Sequence, residues 1–205
     1  MCGRYSLSTP PSELKVRFRL DAAPPAFANE DIRPTNLAPI VHQSADGRIT
    51  SLARWGLIPS WAKDAGIAQH TFNARSETLA EKHSFRAAFK KRRCLVPASA
   101  FFEWQAVPGE RRKRKLRFAA SDGQALALAG LWEHWAPPGS TETVISFTII
   151  TTHANDFMAP VHERMPVLLG EADWPAWLDP EEHNPLLLAS MLQPCANDLL
   201  RCNDA

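Results

Sequence analysis

Cys2 stands directly after the initiator position, and a cysteine there has a chemistry that no internal cysteine shares. Once Met1 is removed, its α-amine and its thiol lie two carbons apart on one residue. A model α-amine titrates near about 7.7–8.0, so roughly a tenth of it is free base at pH 7. The thiol, about 8.5 when unperturbed, becomes more acidic beside an ammonium group. Such an aminothiol attacks an aldehyde through nitrogen to give an imine, and sulfur then closes a five-membered thiazolidine. Taken alone, Cys2 reads equally as an ordinary cysteine in a frayed N-terminus.

Other residues could serve that chemistry. Phe101-Phe102-Glu103-Trp104 sets a carboxylate within a strongly apolar strand. Alternation puts Phe102 and Trp104 on one face and Phe101, Glu103 and Gln105 on the other. If Glu103 is buried, desolvation raises its pKa toward the range useful for proton transfer; at a sheet edge it would simply face water. His162 lies on a loop bracketed by Pro160 and Pro166 and could exchange a proton near neutral pH, or be an exposed loop histidine. In an extended segment Asn73 and Arg75 point the same way. Asn73 could then hydrogen-bond a reacting centre, or serve as a turn or helix cap, while Arg75 could clamp a phosphate. Trp61, flanked by loop formers, could stack on or wedge between bases, whereas Trp55, Trp104 and Trp132 read as core. The runs Lys90-Lys91-Arg92-Arg93 and 111–115 read as solvated faces, or as salt-dependent contacts to nucleic acid.

The elements that must position these residues are mostly strands. Residues 3–7 form a short strand, and Thr9-Pro10-Pro11-Ser12 starts a helix through Leu14 and Phe18. Residues 22–36 are proline-rich and irregular. Residues 37–43 and 48–55 flank Asp46-Gly47, a hairpin signal. After a loop over 56–69, residues 72–78 lead to a helix over 85–91. Strands follow at 94–97 and 100–105, with 111–115 near the tip of a hairpin opened by Pro108-Gly109. Residues 116–120 and 125–135 flank Asp122-Gly123, another hairpin signal. Residues 143–152 are rich in β-branched side chains, and two short helices at 171–178 and 184–192 complete the pattern. Hairpin-linked strands with helices outside them predict an α+β fold, a largely antiparallel sheet or pseudo-barrel with peripheral helices; parallel βαβ units are not evident.

The 205 residues predict a single domain over 2–205. No leader peptide or membrane-spanning apolar run is evident, which predicts a cytoplasmic protein with no membrane partner. Four scattered cysteines, Cys2, Cys94, Cys195 and Cys202, lack the spacing of a zinc site or disulfide framework, so no metal is expected. Net charge is +1, but residues 1–120 hold 21 Lys/Arg against 10 Asp/Glu (+11), and residues 121–205 hold 2 against 12 (−10). That asymmetry suggests a basic face for a polyanion, unless folding mixes the halves.

Several blocks occur in a specific order: Met1-Cys2-Gly3-Arg4-Tyr5, Arg33-Pro34-Thr35-Asn36 with Pro39, Trp55-Gly56-Leu57-Ile58-Pro59-Ser60-Trp61, residues 72–78, residues 97–104, and His162-Glu163-Arg164-Met165-Pro166. Together, over roughly residues 2–180, they resemble the SOS-response-associated peptidase family, the abasic-site-processing proteins. The resemblance implies a compact β fold with a basic groove and a protein that crosslinks covalently to the ring-opened aldehyde of abasic sites in single-stranded DNA. It implies that Cys2 is the nucleophile, Asn73 a positioning residue, Glu103 a proton acceptor and shuttle, and His162 a hydrogen-bond donor to the opened sugar. Arg4, Asn36, Trp61, Arg75 and Arg164 match positions near the DNA groove. It further implies a peptidase activity that exposes Cys2 and lyase-like Schiff-base chemistry; no cofactor, a monomer, and association with the nucleoid when bound to DNA are expected. One departure stands out: the family's further strand beyond the last helix is not recognisable in residues 199–205, which leaves one sheet edge open. Two rivals remain at this level, an N-terminal-cysteine amidohydrolase and a non-covalent single-strand binder.

Overall fold

Strand pairing sets the architecture, and the helices are short. The computed structural model describes residues 2–45 and 47–205. Met1, and the Asp46 half of the Asp46-Gly47 signal, lie outside the described residues. The elements in chain order are β1 (Tyr5–Leu7), α1 (Pro11–Phe18), β2 (Asn29–Ile32), β3 (Leu37–Ser44), β4 (Gly47–Trp55), β5 (Asn73–Arg75), α2 (Arg86–Lys91), β6 (Arg93–Ala98), β7 (Ala100–Gln105), β8 (Arg114–Ala120), β9 (Leu126–Trp135), β10 (Val144–His153), β11 (Arg164–Pro166), α3 (Trp174–Leu178), α4 (Pro185–Ser190) and β12 (Leu200–Asp204). Single 3-10 turns lie at Ala65–Gln69, Ser76–Thr78 and Asn197–Leu199.

One sheet has the order β12-β8-β7-β1-β2, and the other runs β11-β10-β4-β3-β6-β9. In the second, β9 also pairs with β10, so five strands close on themselves as a small barrel. Closure needs Gly130: a Cβ there would lie 2.9 Å from both Cys94 Sγ and the Thr148 carbonyl oxygen. Pairing is largely antiparallel, as the α+β reading expects, but β10 runs parallel to both β4 and β5. Trp55 has no exposed surface and ties the sheets together. Its ring meets Tyr5 edge-on at 5.1 Å, stacks with Phe147 at 6.2 Å, and its indole N–H donates to the Phe72 carbonyl at 2.7 Å.

The helices lie outside the sheets. Pro11 occupies the first turn of α1, where its missing N–H costs nothing, and Arg19 ends the helix in the left-handed conformation (φ 52°). Leu14 and Phe18 are the buried face, with Phe18 stacked on Trp174 of α3 at 5.2 Å. Asn184 caps α4 by accepting from the Leu186 and Leu187 N–H groups.

Four expectations need correction. The Asp122-Gly123 turn does not close a hairpin: β8 pairs with β7 and β12, β9 with β6 and β10, and the turn carries the chain from one sheet to the other. The proline-rich stretch contains β2, which pairs with β1. The open edge is filled, since Leu200–Asp204 pairs with β8 from Leu200↔Ala120 to Asp204↔Leu116. Trp104 and Trp132 are half-buried rather than core.

The charge asymmetry is partly folded away. Arg17 and Arg19 pair with Glu171, Arg92 with Glu133 at 2.6 Å, and Arg114 with Asp204, each joining the basic part of the chain to the acidic part. Among the described residues no helix is long and apolar enough to cross a membrane.

Candidate active site

Cys2 reaches the interior because β1 is a central strand. In the β1–β7 pair Tyr5 faces Phe101 and Ser6 faces Ala100, and the Phe102 N–H donates to the Arg4 carbonyl at 2.9 Å. That register, carried past Tyr5, sets Gly3 opposite Glu103 and brings Cys2 alongside the carboxylate. Asn73 comes from the other sheet. It opens β5, held in parallel register by Ile149↔Asn73 and Thr151↔Arg75, and its side-chain Nδ2 donates to the Cys2 carbonyl at 2.8 Å. Asn73 is therefore a strand residue bonded to Cys2, not a helix cap.

Glu103 is 3% exposed, which removes the reading of a solvent-facing edge carboxylate. Its neighbours Phe102 and Trp104 turn to the opposite face, where Lys115 Nζ sits 4.1 Å from the Phe102 ring centre and the Arg4 guanidinium 5.2 Å from that of Trp104. Gln105, on the Glu103 face, donates to the Pro160 carbonyl at 3.2 Å and so fastens the end of β7 to the turn bearing His162. Burial raises the Glu103 pKa, while the charges of His162 and Lys113 act in the opposite direction. Burial also raises the Cys2 thiol, and the Glu103 carboxylate adds to that rise. Asn73, Cys2, Glu103 and His162 thus form one continuous cluster at the junction of the two sheets.

His162 is half-buried, and its protonation pattern is set locally. The Arg164 N–H donates to His162 Nδ1 at 2.9 Å, so in the neutral ring the proton sits on Nε2, which becomes the donor. Arg164 is itself fixed. Its guanidinium grips the two Glu77 carboxylate oxygens at 2.5 and 2.9 Å and donates to the Thr151 carbonyl at 2.6 Å. The Arg164 hydrogen bonds hold the Glu77 carboxyl down at a pKa of about 2. His153 Nε2 lies 3.0 Å from the same carboxylate.

The five residues matched to a DNA groove divide. Arg75 is exposed and Trp61 is half-exposed, its ring stacked on His83 at 4.6 Å. Arg4 is engaged with Asp31 (2.7 Å), and Asn36 accepts the Arg33 N–H (2.9 Å) within a turn where Thr35 has φ 78°. Arg164 is 5% exposed and turned inward to Glu77. The supporting roles of Glu77, Thr151 and Tyr5 escape sequence reasoning, although Glu77 and Tyr5 lie within the blocks that carry the resemblance. Glu77 lies two residues after Arg75, yet nothing local reveals that its partner is 87 positions away. Tyr5 is buried beside Cys2 and Cys94, and its hydroxyl has no hydrogen-bond partner among the described residues. Among the described residues no cluster of His, Cys, Asp or Glu could hold a metal ion.

The chain belongs to the SOS response associated peptidase (SRAP) family, whose pattern it matches over residues 1–204. Particular relatives sharpen the likeness. It is 37% identical over 198 residues to the abasic site processing protein YoqW of Bacillus subtilis, spanning 95% of this chain and 87% of that one. It is 37% identical over 152 residues to the abasic site processing protein HMCES of Xenopus tropicalis, spanning 64% of this chain and 45% of that one. A crystal structure of a Bacteroides thetaiotaomicron protein superposes with a TM-score of 0.89 at 26% identity, covering 99% of this chain and 91% of that one.

Proposed function

We propose that this protein captures abasic sites in single-stranded DNA as a thiazolidine crosslink through Cys2, after loss of Met1. The observation that carries the reading is the position of Cys2, bonded through its carbonyl to Asn73 and beside a buried carboxylate, Glu103. The relatives' names supply the substrate class, since those proteins are described as processing abasic sites.

Glu103 accepts a proton from the Cys2 ammonium, and the free amine attacks the C1′ aldehyde to give a carbinolamine. Loss of water leaves the imine. The thiol sulfur adds to the imine carbon, and its proton ends on the ring nitrogen. A C–N and a C–S bond form and one water leaves. A carboxyl whose pKa is raised by burial is suited to take up and return the proton near neutral pH. His162 Nε2–H donates to the oxygen of the opened sugar. Asn73 fixes the Cys2 backbone, and its buried Oδ1, without a partner among the described residues, is left to accept from the nucleophile's amine. Exposed Arg75 and half-exposed Trp61 are the phosphate and base contacts.

The test is a denaturing gel of the mature protein with single-stranded DNA, with and without one abasic site. An adduct is expected only with the abasic strand, and is lost in Cys2→Ala and in a protein with a permanent N-terminal extension. An extended protein that keeps its extension yet crosslinks at the mature rate would end the thiazolidine reading.

A further inference from the structure

The Lys90-Lys91-Arg92-Arg93 run is not explained by the Cys2 site, with which it shares no residue. Its four members divide sharply in the fold. Arg92 pairs with Glu133, and Arg93 is 3% exposed. Arg93 donates to the carbonyls of Phe89 (2.7 Å) and Lys90 (2.9 Å) in α2, and to those of Trp177 (2.6 Å), Asp179 and Glu182 (3.1 Å) on the approach to α4. One buried guanidinium therefore staples two walls together. Between them lies a groove of about 420 Å³. Its apolar lining comes from Phe89, Pro185 and Leu188, and its cationic lining from Arg86, Lys90 and Lys91, with His183 beside them. Leu186, 81% exposed on α4, extends apolar surface next to it.

Two features say what fits this groove. Arg86, Lys90 and Lys91 are exposed, and none forms an ion pair among the described residues. In the approach to α4, Asp179 accepts the Glu181 N–H at 2.9 Å and Glu182 the Asn184 N–H at 2.7 Å, so these two carboxylates are turned to backbone donors of their own loop. With no carboxylate paired to the three cations among the described residues, a partner that brings its own is favoured. The apolar part of the lining, Phe89, Pro185 and Leu188, would bury a large apolar side chain, which a phosphate backbone does not supply. Because the walls are stapled, little ordering is needed on binding.

We propose that this groove docks an acidic peptide segment of a partner protein, which inserts one large apolar side chain between Phe89 and Leu188 and sets its carboxylates against Arg86, Lys90 and Lys91. The test is fluorescence anisotropy with a labelled peptide of four aspartates followed by leucine and a C-terminal phenylalanine. Two control peptides replace either the aspartates by asparagine or the two apolar residues by serine. Saturable, salt-sensitive binding of the first peptide alone is expected. Arg86→Glu with Lys90→Glu should weaken it at least about tenfold. Ala80 also lines the groove, and Ala80→Trp, which fills it without changing charge, should weaken binding comparably. Both variants should keep the wild-type unfolding midpoint and abasic-site crosslinking rate. Absence of saturable binding overturns the proposal, as does peptide affinity unchanged by Ala80→Trp. If a short oligothymidylate instead occupies the groove, with the same dependence on Arg86, Lys90 and Ala80, the face belongs to DNA and the proposal falls.

Discussion

Glu77→Gln separates the clamp on Arg164 from the chemistry around Cys2. The carboxyl of Glu77 lies at about 2 rather than 4.5, a difference of 2.5 units, chiefly through its hydrogen bonds to Arg164. At about 1.36 kcal/mol per unit that is an upper bound of about 3.4 kcal/mol. The Glu77 side chain is 37% exposed, so solvent screening reduces this to about 1–2 kcal/mol. The sign follows from the depressed pKa: the contribution is complete above the unfolded value near 4.5 and disappears as pH falls toward 2. Urea unfolding should therefore show the variant about 1–2 kcal/mol less stable at pH 7, with the gap closing between about pH 5 and pH 2. Loss of the grip on Arg164 also loosens the N–H that holds His162 Nδ1, so crosslinking should slow about tenfold, short of the 10²–10⁴ expected of a group that moves the proton itself. Because this effect passes through His162, Glu77→Gln should add little to the slowing already caused by His162→Ala. A stability gap that persists unchanged at pH 2.5, or kinetic effects of the two substitutions that multiply, would refute the reasoning.

Three further outcomes are expected. Glu103→Gln should slow crosslinking by about 10²–10⁴ while leaving affinity for intact single strands unchanged, and rising pH should partly restore it by deprotonating the Cys2 amine; single-turnover rates against pH check both, and unchanged slowing at high pH would remove Glu103 from proton transfer. Arg75→Ala should weaken binding to intact and abasic strands alike and make the salt dependence shallower, as titrations at several salt concentrations will show; an unaltered slope removes the phosphate contact. Gly130→Ala should destabilise by about 1–3 kcal/mol, because its Cβ must displace Cys94 Sγ or the Thr148 carbonyl, and a wild-type unfolding midpoint would show that the closed sheet can relax there.

The members of the candidate cluster stand out locally by residue type, but each also has a bland reading. An N-terminal cysteine, a carboxylate within an apolar strand and a histidine between prolines are joined in the sequence only by the ordered blocks that carry the family resemblance. The β3–β4 hairpin is also legible locally, since the Asp46-Gly47 signal stands between the two strands that pair. What the sequence hid is partner choice. Asp122-Gly123 has the composition of a hairpin turn, but β9 is nearly continuous buried residues and belongs in a closed sheet, so burial overrides the turn. The resemblance places Arg164 near a DNA groove, yet it is buried, and the bidentate Glu77 carboxylate makes that burial tolerable. The strand β12 is too short and polar to be recognised by pattern, and only the unpaired edge of β8 reveals its place.

The placement of Cys2 follows from the order of the open sheet. β1 has only three residues and would be unstable as an edge, but it lies between β2 and β7 and passes over Trp55. Its regular pairing with β7 sets its register, while the β2 side carries an irregularity between Tyr5 and Leu7. Residues running out of such a strand toward its start inherit that register, which is why Cys2 is immobilised although it is almost the first residue of the chain. Asn73 then fixes it from the barrel side through the β5–β10 pairing, and His162 is held from the same β10 through Thr151 and Arg164. Two of the side chains around the cysteine are therefore referenced to one strand, β10, and the third, Glu103, to the strand paired with β1 itself. A small shift of β10 would move Asn73 and His162 together relative to Cys2 and Glu103. The geometry of the Cys2 cluster is thus set at the contact between the two sheets, where Trp55 packs against Tyr5, Phe72 and Phe147.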